Sequence, residues 1–137
     1  MTNTVTAVRL GVNGLAEVVN LPTVEGQGVG EALREAIGCR LFDLVRLAPG
    51  LGMWLDDEGM CVADAKVNRT ATMMARHYGF RSQPYFGTVV FTSSDDEGET
   101  TSLDEDQVAA LVASADVGGL INVDASRVPA TAESVAV

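Results

Sequence analysis

The chain holds one histidine, one tryptophan and two cysteines in 137 residues, with nine basic side chains against nineteen acidic ones. Each shortage excludes a chemistry. A single histidine, His77, rules out histidine-rich metal centres and leaves zinc only Cys39 and Cys61 as further soft ligands, too few for a closed site. A Ser–His–Asp arrangement would have to be built on His77, and no G-x-S-x-G elbow is present. Beside Tyr78, near the end of a helical pattern, His77 reads as a half-buried packing residue. The cysteines stand apart, with no CxxC spacing, and read as small buried hydrophobes. No run approaches the roughly 20 apolar residues that cross a bilayer. The first residues, MTNTVTAVRL, lack a basic segment followed by an apolar one, so no signal peptide is read and a cytoplasmic location is expected. No metal, cofactor or membrane partner is expected.

What is present is charge of one sign. The net charge is −10 and the isoelectric point is near 4.3. Such a chain is repelled by nucleic acid and by anionic membranes, so direct nucleic-acid binding is not expected. The distribution is uneven. From Lys66 to Arg81 there is no Asp or Glu, and that stretch holds Lys66, Arg69, Arg76, Arg81 and His77. From Asp95 to Asp106 there is no base, and that stretch holds Asp95, Asp96, Glu97, Glu99, Asp104, Glu105 and Asp106.

With 47% hydrophobic residues, a chain of this length forms one domain with an ordinary core. Two β-branched runs flank Asn13-Gly14, a strong hairpin signal. In "GVGEALREAIGC", Val29, Leu33, Ala36 and Ile37 recur at helical spacing, and Gly38 is placed to end the helix. "RLFDLVRLA" is a strand whose apolar residues on both faces suggest a central place in the sheet. Pro49-Gly50 turns the chain. "GMWL" and "MCVADA" are then expected to pair across an acidic turn at Asp56–Gly59. The acids of that turn are consecutive rather than alternate, so they do not fit a calcium loop. "NRTATMMARHYG" reads as a helix capped by Asn68 and ended by Gly79, with Ala71, Met74, Ala75 and Tyr78 inward. "YFGTVVFTSS" is a strand. Ser102 and Glu105 form a capping-box pattern for a third helix, with Val108, Leu111, Val112 and Ala115 inward. The fold class expected is α+β: a single domain over residues 1–116, with a mainly antiparallel sheet and three helices packed against it. Residues 117–137 are read as a short edge strand in "LINV" and then a disordered tail.

No motif here carries a reaction. "GQGVGE" lacks the Lys-Ser/Thr of a P-loop and does not match GxGxxG after a strand. Arg69 and Arg76, seven positions apart on one helix, form a plausible clamp for a phosphate or carboxylate. Asn68 stands beside them at a helix start, where free N–H groups and the positive dipole end favour an anion. The structural alternative pairs Arg69 with Asp56, Asp57 or another of the chain's own carboxylates.

The segments "IGCRLFDLVRLAPGLGMWLDDEGM", "VNRTAT" and "FGTVVFTSSDDEGETTSLDEDQVAAL", in this order, resemble the family known as domain of unknown function 3846. The resemblance covers roughly residues 5–115 and implies a setting on bacterial phages, plasmids and integrated elements, with no mechanism. Taken with the residues, it favours a non-enzymatic binding module that uses Asn68, Arg69 and Arg76 on a nucleotide, a phosphate-like anion or a host protein. The second reading is an acidic decoy of a host DNA-binding protein, with Asp95, Asp96, Glu97 and Glu99 standing in for phosphates. DNA carries a charge about every 1.7 Å of axis, so a mimic needs ordered acids spread over tens of ångströms. Catalysis is disfavoured, because no nucleophile, base and orienting group are recognisable together.

Overall fold

In the computed structural model, residues 3–25, 28–59, 65–81 and 83–118 are described. The chain opens on a hairpin. Strands β1 (Thr4–Leu10) and β2 (Ala16–Pro22) pair antiparallel without interruption, from Thr4↔Pro22 to Leu10↔Ala16. The Asn13-Gly14 signal works as expected. Gly14 takes the left-handed φ of 84°, and the Asn13 side-chain oxygen accepts the Leu15 N–H at 3.1 Å. Because the Gly11 N–H also donates to the Leu15 carbonyl, the loop proper is Val12-Asn13-Gly14, a three-residue connection that needs glycine at its end.

Helix α1 (Gly30–Ile37) follows, with Ala32, Leu33 and Ile37 buried, and Gly38 ends it at a φ of 78°. The hairpin of β3 (Phe42–Ala48) and β4 (Leu51–Asp56) turns at Pro49-Gly50. Helix α2 (Arg69–His77), strands β5 (Val89–Ser94) and β6 (Thr100–Thr101), and helix α3 (Glu105–Asp116) complete the described elements. The sheet runs β2-β1-β5-β4-β3, with β6 also on β5, and every pairing is antiparallel. This is a single α+β domain.

Strand alternation sends side chains to two cores. Val5, Ala7, Leu21 and Val90 pack under α1, with Phe42 and Trp54 at the border. Val8, Leu10, Met53, Val89 and Phe91 pack under α2 and α3 through Ala71, Met74, Ala110 and Leu111. Helices therefore cover both faces. The indole Nε1–H of Trp54 donates to the buried Thr92 hydroxyl at 2.9 Å, and Phe42 stands edge-on to the same ring with centroids 5.3 Å apart. Among the described residues, no helix is long and apolar enough to cross a membrane.

Two sequence expectations change. Strand β3 lies at the sheet edge, not at its centre. Its two apolar faces have another cause: the sheet is clothed on both sides, so even this edge strand packs both ways, Val45 and Leu47 toward one core and the half-buried Phe42 toward the other. The partners of β4 are β3 on one side and β5 on the other, and the expected return strand "MCVADA" is residues 60–65. Met60–Asp64 lie outside the described residues, as do "LINV" and the tail, since description ends at residue 118.

The second change concerns α3. Its cap is Asp104, whose carboxylate accepts the Gln107 N–H at 2.7 Å, while the Gln107 side chain accepts the Asp104 N–H at 2.9 Å. Ser102 is engaged elsewhere: its hydroxyl accepts the Thr6 N–H, and the Leu103 N–H donates to the Thr6 carbonyl. Residues 102 and 103 thus extend along β1, and the helix starts two positions late. The buried stripe becomes Gln107, Ala110, Leu111, Ser114 and Ala115. Asp104→Ala should cost about 1 kcal/mol, the usual value of a lost cap. Glu105→Ala should cost under about 0.5 kcal/mol, as for an ordinary surface site. Urea unfolding of the two variants checks this, and the opposite ranking would return the cap to Ser102.

Candidate functional site

The sequence grouped Asn68, Arg69 and Arg76, and the folded chain gives them different jobs. Asn68 is fully buried. Its side-chain oxygen accepts the Ala71 N–H at 3.0 Å. Its amide nitrogen donates to the carbonyls of Leu10 at 3.0 Å and Gly87 at 2.9 Å. Its own N–H donates to Tyr85, and its carbonyl accepts from Thr72. The geometry explains the need. The β1–β5 ladder ends at Leu10↔Val89. Beyond that pair the strands part, and the Asn68 amide takes the carbonyls left behind while capping α2. Every polar group of Asn68 is engaged within the protein.

Arg69 and Arg76 are exposed, at the first position and in the last turn of α2. Seven residues along a helix separate them by about 10.5 Å. Among the described residues, ion pairs join Arg9 to Glu17, Arg34 to Glu31 and Arg40 to Glu58; none involves Arg69, Arg76, Lys66 or Arg81. Asp56 and Asp57, named as partners of Arg69 in the structural alternative, form no ion pair with it among the described residues, and an Asp56 oxygen accepts the Glu58 N–H. Arg76 gains from the negative C-terminal end of the helix dipole, whereas Arg69 sits against the positive end. An anion beside Arg69 would relieve that repulsion. The N–H groups of Arg69 and Thr70 have no acceptor among the described residues, so the helix start retains two donors.

The acidic patch is a tight β5–β6 turn. One Asp95 oxygen accepts the N–H groups of both Glu97 and Glu99 at 2.9 Å, and Gly98 supplies a φ of 85°. Asp95 is therefore committed to shaping the turn, and Asp96, Glu97 and Glu99 are exposed around it. A cavity of about 610 Å³ lies between this turn and the β3–β4 turn, and it is lined by Arg46 as well as by the acids.

A second cavity, of about 570 Å³, lies where the hairpin tip leaves the sheet, between Gly11 and Thr88, with Arg9 and Glu17 in its wall. No motif announces it, because it arises from the parting of two strands distant in sequence. Arg9 is already bound there, to Glu17 at 2.6 Å and to the Ala36 carbonyl at 2.7 Å. Burial pushes the Cys39 thiol up from its usual pKa, Asp56 pushes it further, and Arg34 opposes both. Such a thiol is a poor nucleophile. Cys61 lies outside the described residues. Among the described residues, no three His, Cys, Asp or Glu side chains converge to hold a metal.

Residues 8–115 match the family described as Domain of unknown function (DUF3846), a span that runs from within β1 to the last turn of α3. The chain belongs to the DUF3846 family. No curated protein and no solved structure matches it. The DUF3846 span takes in most of both cores, the Asn68 clip, the exposed face of α2 and the acidic turn.

Proposed function

We propose that the protein is a non-enzymatic binding module of a mobile genetic element, taking an anionic ligand or an acidic partner on the exposed face of α2. One observation carries this reading. In a chain of net charge −10, the cations Arg69 and Arg76 carry no ion pair among the described residues, while three of the other arginines do. The mobile-element setting is what the family resemblance implies. Arg69 and Arg76 are exposed on α2, and an exposed face suits binding better than a reaction that must exclude water.

The spacing narrows the ligand. Two exposed arginines whose backbone positions lie about 10.5 Å apart along a helix fit an extended anion, such as a nucleotide with a diphosphate or a linked dinucleotide, better than a single orthophosphate. The acidic decoy draws less support, since Asp95 is occupied within its own turn and the remaining acids sit on one tight loop rather than along a DNA-like path.

Thermal unfolding with mononucleotides, cyclic nucleotides, dinucleotides and pyrophosphate tests the proposal. A ligand at a hundredfold excess over its Kd should stabilise the wild type by about 2.7 kcal/mol. Arg69→Ala should remove that shift while costing under about 1 kcal/mol of stability. If no anion stabilises the wild type, the face is not an anion site, and function must be sought in a protein partner.

A further inference from the structure

The two edges of the sheet differ in how they are guarded. Edge strands expose unpaired backbone groups, and proteins blunt them with charges, bulges or proline. Strand β3 has these devices: Asp43 and Arg46 are exposed, and its register breaks between Arg46 and Ala48. Strand β2 has few. Its register with β1 is unbroken, and its one charged side chain, Glu17, is already paired with Arg9. Exposed apolar side chains also gather there. Of the large hydrophobic residues exposed among the described ones, Val12, Leu15, Val18 and Val24 lie on or beside β2, with Leu15 at 66% and Val18 at 52%. Only Leu41, at 46%, flanks β3.

The hydrogen-bond phase of the hairpin shows which groups face outward. The Gly11 N–H donates to Leu15, and the Thr23 N–H to Asn3. Bonded and non-bonded pairs alternate in an antiparallel ladder, so Glu17, Val19 and Leu21 turn their backbone groups toward β1. Ala16, Val18, Asn20 and Pro22 turn theirs to the open edge. Three outward N–H groups are available, and the residue without one, Pro22, closes the far end.

We infer that β2 pairs antiparallel with β2 of a second copy of this chain, about a twofold axis through Val18. That register sets Val18 opposite Val18, and Ala16 opposite Asn20. It uses all three outward N–H groups and asks none of Pro22. On the α1 face it sets Leu15 opposite Leu21 of the second copy, and it sets Glu17 opposite Val19 rather than opposite its own charge. A twofold interface needs such a self-complementary patch. The product is one sheet, continuous across both copies, with each α3 on the same side of it.

Sedimentation velocity of the full chain over a range of concentrations reads the dimer directly. Val18→Lys places two ammonium groups face to face on the axis and should raise the dimer Kd at least about tenfold. Val18→Pro removes an outward N–H that β1 does not use, a change tolerated on an edge strand, and should have the same effect. Leu41→Lys, at the other edge, should leave the dimer intact. Circular dichroism and Trp54 emission should show all three folded; if the proline variant does not fold, the lysine variant decides. A wild type that stays monomeric throughout overturns the inference and leaves the edge to a strand of another kind. So does a dimer that survives Val18→Lys in a folded protein.

Discussion

Asn68→Ala should lower the free energy of unfolding by about 3 kcal/mol or more, although the residue carries no charge and few apolar atoms. A lost N-cap costs about 1 kcal/mol. A buried carbonyl left without a donor adds roughly 1–3 kcal/mol, and Asn68 serves one that is buried, Leu10, and one that is partly buried, Gly87. Asn68→Asp separates these contributions. It keeps an oxygen for the Ala71 N–H but has no donor for either carbonyl, and it directs negative charge at both. At neutral pH it should be at least as damaging as alanine. Urea unfolding followed by Trp54 fluorescence gives both values, the chain having a single tryptophan. If the aspartate variant proves the milder one, Asn68 is chiefly a helix cap and the clip between the strands carries little.

Leu33→Ala should cost about 3 kcal/mol, within the roughly 2–5 kcal/mol typical of a fully buried leucine. Helix α1 has eight residues, well below the ~12–15 at which an isolated helix persists in water. Its presence depends on Val29, Ala32, Leu33 and Ile37 finding Val5, Ala7, Leu21 and Val90. Trp54 borders the same cluster, so its native emission should shift to longer wavelength as α1 loosens. Leu111→Ala, equally buried in the core under α2 and α3, should cost a similar amount and leave native Trp54 emission where it was. Equal spectral changes in both variants would mean that the two cores are not energetically separate.

Local chemistry was readable in the sequence, and its long-range consequences were not. Asn13-Gly14, Gly38 and Asn68 act through neighbours within a few positions, and each occupies the role its residue type suggests. The other two partners of Asn68 lie 58 and 19 positions away, and no pattern marks a carbonyl as needing a donor. Ser102 misled for a related reason. Its spacing to Glu105 satisfies a capping box, but Thr6 lies close in space and claims both Ser102 and Leu103. The apolar faces of β3 were seen correctly and assigned to the wrong cause, since helices on both sides of a sheet give an edge strand the pattern of a central one. In the candidate site, the opposite exposures of Asn68 and Arg69 follow from helix geometry. The absence of a carboxylate beside Arg69 among the described residues depends on where β4 ends, which composition does not encode.

The place of β5 between β1 and β4 also sets an order of events during synthesis. The β1–β2 hairpin can close as soon as it leaves the ribosome, yet its inner strand has no partner on the other side until Val89–Phe91 arrive to meet Val8–Leu10. At roughly 5–20 residues per second, the intervening chain takes several seconds to appear. Helix α1 cannot settle in that interval, because Val90 is part of the surface it covers. The nascent hairpin therefore waits with both of its strands open to pairing. The step that ends this exposure is the insertion of β5, after which the Asn68 amide can close over Leu10 and Gly87.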